Sequence, residues 1–209
     1  MSRSAPHARR VARWLQWLLL AVGVVSLGYY GYVQTEARLY QDYENRQLDA
    51  ILQSGPRHAE APEAGRAARH EPPPGTVLGR IEIPRLHVSA IVRVGSDART
   101  LRLAVGYIPG TALPGEPGNV GLAGHRDTFF RQLRRIKLRD EIRIVTPRGT
   151  YRYRVERTRV VDPQDVWVLN PTVQPMLTLV TCYPFTYIGS APQRFIVRAA
   201  QEVSAAATS

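Results

Sequence analysis

The chain has 209 residues, 44% of them hydrophobic, which is enough for one folded domain with additional segments. Its single cysteine, Cys182, excludes an intrachain disulfide and a cysteine-rich zinc site, and its five histidines show no HxxxH-like spacing that would suggest a metal centre. The net charge of +11 rests almost wholly on arginine and is uneven: residues 1–13 carry four Arg and no acid, whereas residues 75–200 carry 19 basic and nine acidic residues.

Residues 14–33, WLQWLLLAVGVVSLGYYGYV, hold no charge. A helix of that length rises roughly 30 Å, the hydrocarbon thickness of a bilayer. Trp14 and Trp17 at one end and Tyr29, Tyr30 and Tyr32 at the other suit the two interfacial belts. The run is longer than a usual signal-peptide core and lacks an A-x-A-like cleavage site, so it reads as a transmembrane anchor. Arg3, Arg9, Arg10 and Arg13 precede it and an acidic flank follows, which predicts residues 1–13 in the cytoplasm and everything after Val33 outside. Residues 34–74 read as an extracytoplasmic stalk and linker. The part up to Gln53 is a polar helix with a thin stripe of Leu39, Tyr43 and Leu48, and the Ala-, Pro- and Gly-rich remainder buries too little to fold.

From residue 75 to 200 the pattern is short strands and turns. TVLGRIEI alternates and stops at Pro84, and HVSAIVRV resumes the alternation. SDARTLRLAVG predicts a short helix, with Ser96 or Asp97 as N-cap and Leu101, Ala104 and Val105 inward. NVGLAGHR is a glycine-rich strand, DTFFRQLRRI one or two helical turns, and EIRIVT with YRYRVERTRVV a hairpin about PRGT. MLTLVTC and RFIVRA are two further strands, and residues 201–209 form a tail. Seven or eight strands with at most two short helices predict a mainly β, antiparallel domain, a barrel in preference to a sandwich. The alternation of charge with Tyr and Val in RYRVERTRV reads as a solvated strand face, not as a nucleic-acid interface.

Cys182 ends an apolar strand just before Pro184, where a side chain is presented as readily as packed. Position alone leaves two readings open, a small buried hydrophobe or a nucleophile. An extracytoplasmic thiol without a disulfide partner risks oxidation, which favours use. His125, beside the glycines of GLAGHRD, is the candidate base; His7, His58, His70 and His87 lie in flanking segments or turns. Arg194 begins the last strand, and antiparallel pairing of that strand with MLTLVTC would bring its guanidinium near the sulfur, where it could stabilise an oxyanion.

With these residues in place, the chain resembles the sortases, membrane-anchored cysteine transpeptidases of bacterial surfaces. TLVTC at 178–182, AGHR at 123–126 and APQRFIVRA at 191–199 match the family's cysteine, histidine and arginine segments in the family's order. GRIEIPRL, NVGLAGHRDTFF and VTCYPF are most similar to the class D branch; His87 departs from it, since a small residue, often Gly, is expected after IPRL. The resemblance covers residues 76–199 and implies a closed eight-stranded barrel, antiparallel or mixed, acting on LPxTG-like sorting signals. The residues themselves point to no cofactor and no metal site, with an oxygen-ligand calcium site left open. The resemblance implies that Cys182 attacks the signal's Thr carbonyl to form a thioacyl enzyme. His125 then serves as acid and base, Arg194 holds the oxyanion, and Thr181 supports the substrate site. The implied partners are surface or pilin proteins bearing the signal and an amine acceptor, such as a peptidoglycan precursor or a protein lysine. The alternative is a non-catalytic anchored β-domain that grips anionic wall polymer. A papain-like protease fits poorly, because there the Cys precedes the His and starts a helix.

Overall fold

A computed structural model describes residues 5–54, 71–187 and 189–202. Most of the expected linker and tail lie outside the described residues. The chain divides into two units, Met1–Tyr40 and Gln41–Ser209. The described part of the first, residues 5–40, lies within helix α1 (Ala5–Gln53), in which every described side chain from residue 10 to 32 is exposed. Among the described residues, α1 is the one helix long and apolar enough, by length and composition, to cross a membrane.

The second unit is a closed barrel. Its strands are β1 (Val77–Ile83), β2 (Val88–Val94), β3 (Val105–Tyr107), β4 (Asn119–Ala123), β5 (Glu141–Thr146), β6 (Gly149–Val161), β7 (Met176–Tyr183) and β8 (Gln193–Gln201). Their order around the barrel is β1-β2-β3-β4-β7-β8-β6-β5, and β5 returns to β1. Two contacts, β2 with β3 and β4 with β7, are parallel and the others antiparallel. The closed eight-stranded barrel expected from the sequence is therefore present, with two parallel contacts where the strand spacing read as antiparallel. Helix α2 (Ala98–Leu103) opens on Asp97, whose carboxylate accepts from the Arg99 and Thr100 amides. It stops before Val105, which belongs to β3 and not to the helix face read for it.

Alternation sets the core. In β5, Ile142 and Ile144 point inward while Glu141 and Arg143 stay at the surface. β7 is buried on both faces for most of its length, as a central strand with a parallel neighbour should be. Leu177 and Leu179 fill the barrel, and Thr178 on the outer face lies under the β6–β7 connection. Because β3 has only three residues, part of β2 lacks a strand neighbour there. The Gln41 amide takes its place, accepting the Ile91 N–H at 2.8 Å and donating to the Leu103 carbonyl at 2.7 Å. Within the same helical stretch Leu48 is buried and Asp49 pairs with Arg80 at 2.9 Å, so residues 41–53 pack with the barrel. Leu39 and Tyr43, the rest of the expected stripe, are exposed.

His87 caps the 3-10 turn Pro84–Leu86 with φ 52°, in the left-handed region. Glycine adopts that conformation without the Cβ clash an L-residue meets, which accounts for the small residue expected at this position.

Candidate active site

Three strand ends meet at one rim of the barrel: the C-terminal ends of β4 and β7 and the N-terminal end of β8. In the antiparallel β7–β8 ladder Cys182 stands directly opposite Arg194. Directly opposed residues share a face, with Cβ atoms about 5 Å apart. Pro184 has no N–H to extend the ladder, and Tyr183 with Gln193 is its last pair. Cys182 is half-buried and is the chain's free thiol.

β4 runs parallel to β7, with Ala123 level with Val180, and the Gly124 amide donates to the Val180 carbonyl at 3.1 Å. The buried Thr181 hydroxyl donates back to the Gly124 carbonyl at 2.7 Å. These two bonds fix the chain just before His125, which emerges exposed beside the Cys182 strand end. Gly124 must lack a side chain, because a Cβ there would lie 2.7 Å from the buried Phe130 ring. The His125 carbonyl accepts the Phe130 amide at 3.1 Å and so closes the turn that follows.

His125, Cys182 and Arg194 are thus brought to neighbouring strand ends. Thr181 joins them differently: it alternates with Cys182 along β7, faces inward and has its hydroxyl engaged by Gly124. It reaches the site through the backbone it holds. His87 sits in the β1–β2 connection and takes no part in this rim.

The structure adds Arg126, which is only 6% exposed. Its guanidinium donates to the carbonyls of Pro184 at 2.8 Å, Tyr187 at 2.6 Å and Gly189 at 3.1 Å. Arg194 Nη1 donates to the carbonyls of Ala191 at 3.1 Å and Gln193 at 3.0 Å. The β7–β8 connection is therefore fastened from both sides by arginines. Its own sequence, YPFTYIGSAPQ, offers them no carboxylate. Beneath the rim Tyr183, Phe185 and Phe195 pack ring to ring, with centroids 5.3 to 6.2 Å apart. These carbonyls lie 58 to 63 residues from Arg126 in sequence, so local pattern gave no sign of them.

Asn119 was missed for the same reason. Its amide donates to Val168 O at 3.1 Å and Asn170 O at 3.3 Å, and its carbonyl accepts the Thr178 hydroxyl at 2.7 Å. It pins the 3-10 turn Val166–Leu169 of the β6–β7 connection over the outer faces of β4 and β7. Through Val168 and Leu169 the turn also packs with Val161, Ile196 and Val180. Among the described residues no group of three or more His, Cys, Asp or Glu side chains is placed to hold a metal ion.

The model of the sortase domain matches residues 81–202. Sortase D of Bacillus subtilis (strain 168) is 32% identical over 185 residues, covering 86% of this chain and 93% of that protein. The Clostridium perfringens Sortase D5 transpeptidase has the same fold, with a TM-score of 0.63 at 24% identity over 81% of this chain and 99% of that one. Sortase C-1 from Actinomyces oris aligns with a TM-score of 0.57 at 31% identity, over 63% of this chain and 75% of that one. The chain belongs to the sortase family and is a cysteine transpeptidase of that kind, with the class D likeness its local motifs carry.

Proposed function

We propose that this sortase cleaves an LPxTG-like sorting signal through a thioacyl intermediate on Cys182 and passes the acyl group to an amine, attaching proteins to the cell surface. The observation that carries the reading is the direct cross-strand pairing of Cys182 with Arg194, beside the β4 end that delivers His125.

In this mechanism the Cys182 thiol passes its proton to His125 as the sulfur attacks the carbonyl carbon of the signal's Thr, and the carbonyl oxygen gains the negative charge. Arg194, whose hydrogen bonds are to neutral carbonyls, keeps its positive charge for that oxyanion. His125 gives a proton to the departing amine as the C–N bond breaks, leaving the thioester. It then takes a proton from the incoming amine, which attacks the thioester and expels the thiolate. Thr181 holds β7 against β4 throughout. Hydrogen bonds among catalytic groups commonly tighten only when substrate arrives, so the exposed His125 suits this role.

The same reading places residues 14–33 across the membrane, residues 1–13 in the cytoplasm and the barrel outside. It gives the enzyme membrane-held surface or pilin proteins as donors, and a peptidoglycan precursor or a protein lysine as acceptor.

The test uses the full chain in detergent micelles with an LPxTG-like peptide, followed by intact mass. An adduct on Cys182 that moves onto an added amine is expected, with none in Cys182→Ala of unchanged circular dichroism. Amide transfer by the folded alanine variant would falsify the mechanism.

A further inference from the structure

We propose that the outer face of β6 and β8 carries a binding site for a phosphate group, made by Arg157, Arg159 and Arg198 with Trp167. The site begins with a bulge. Tyr153 and Val155 point into the barrel, and strict alternation would send residues 157 and 159 inward after them. The register of β6 against β8 shifts between Val155 and Arg157, and this one-residue slip turns the following side chains to the outer face.

There Arg157 stands directly opposite Arg198, and Arg159 opposite Ile196. The side chains line a shallow, solvent-open cleft, with Ile196 and Val168 as its apolar lining and Trp167 beside them. Arg159 is steadied over the Trp167 ring, 5.4 Å from its centroid. Like charges directly opposed across a ladder repel, and among the described residues none of these three arginines has an ion-pair partner. Burial first, and then Arg157, hold the half-buried Arg198 guanidinium below its ordinary pKa. Of the acids in this region, Glu156 is the exposed residue at the bulge and offsets that repulsion only in part. Asp165 has both oxygens engaged, one by the Trp167 indole N–H and the other by the Asp162 amide.

An anion bridging Arg157 and Arg198 would relieve the repulsion. Three guanidinium forks match the several oxygens and the charge of about −2 of a phosphate better than a single carboxylate. The cleft is separate from the catalytic rim. Rows of the outer face run from Cys182 with Arg194 and Val161, through Val180 with Ile196 and Arg159, to Thr178 with Arg198 and Arg157. Four residues along a strand put the last row about 13 Å from the first.

The test is calorimetric titration of the full chain in nonionic detergent with inorganic phosphate, inorganic pyrophosphate and a poly(glycerol phosphate). It needs no catalysis, so its outcome is independent of the mechanism proposed for Cys182. Saturable binding of a phosphate ligand is expected, weakening as salt rises. Arg157→Gln and Arg198→Gln should each weaken it at least tenfold, while the exposed Arg134→Gln leaves it unchanged. Arg157 is exposed, so its variant should fold even if the Arg198 variant does not. Tighter binding of the polymer per phosphate would identify a polymeric source, and tighter binding of pyrophosphate a small soluble one; both support the site. Three results would overturn it: no saturable binding, equal loss in Arg134→Gln, or acetate and citrate binding as well as phosphate.

Discussion

At the corner where the β1–β2 turn meets β5, Arg85 lies against both oxygens of the buried Asp140 carboxylate and also donates to the Arg135 carbonyl. At the β7–β8 rim Arg126 and Arg194 fasten a connection of similar importance, but they meet carbonyl oxygens there. The nearest acid to Arg126 is Asp127, 3.6 Å away and largely exposed. Both corners use the planar guanidinium fork to hold loops. The first cancels its charge against a buried carboxylate, and the second keeps its charge available. A corner that only holds loops can be neutralised, whereas in the mechanism proposed above Arg194 must keep its charge for a developing anion.

The largest effect that would sharpen this comparison is at Arg194. Arg194→Gln should slow adduct formation on Cys182 by roughly 10²–10³-fold with little change in Tm, followed by a mass time course. If it instead unfolded the barrel, the two corners would not differ in kind. Arg126→Gln should act one step removed. Amide hydrogen exchange across residues 184–192 should quicken at least tenfold, and transfer should slow by about 10-fold through misplacement of the rim. Arg126→Lys should not restore either, since an ammonium cannot span three carbonyls as the fork does.

Asp140→Asn should show the opposite profile, with a Tm lowered by about 5 °C and an unchanged rate per folded molecule. Burial raises the Asp140 carboxyl, but hydrogen bonds from Arg85 and the Lys137 amide outweigh it and hold the group below its ordinary pKa. A depressed folded pKa stabilises the fold above the unfolded value. The Tm gap between wild type and variant should therefore be full above about pH 4 and close as the pH falls through the folded pKa. A gap that widened in acid would reverse that assignment. The smallest effect is at His87. His87→Gly should stabilise the fold by about 0.5–1 kcal/mol in denaturant unfolding, because it removes the left-handed penalty at the turn.

Much of the rim was legible before the fold was known, for local reasons. The Asp97 cap, the β5–β6 hairpin and the stop at Pro184 are all set by residues within a few positions of one another. Arg194 could be placed opposite Cys182 because only one short connection separates their strands, and antiparallel pairing of such neighbours is the default. The strand β3 was not legible. Its three residues, VGY, are too few to show a period, and the preceding Leu101 and Ala104 extend a helical spacing across them. Arg126 and Asn119 read as an ordinary charge and an ordinary polar residue at a strand's ends. Nothing beside them in the chain indicates that their partners are carbonyls of distant connections.

The amino-acid sequence by itself determined the anchor-like apolar segment, the β texture of residues 75–200 and the trio His125, Cys182 and Arg194. Each follows from composition, short-range periodicity, or the order of distinctive residues and their resemblance to a family. Only the tertiary structure decided which β6 arginines share a face with Cys182 and Arg194. A single bulged residue reverses the alternation of RYRVERTRV partway along the strand, and the bulge is set by β6 pairing with β8 some forty residues on. Local pattern fixes how an element alternates, but register between distant elements fixes what that alternation faces.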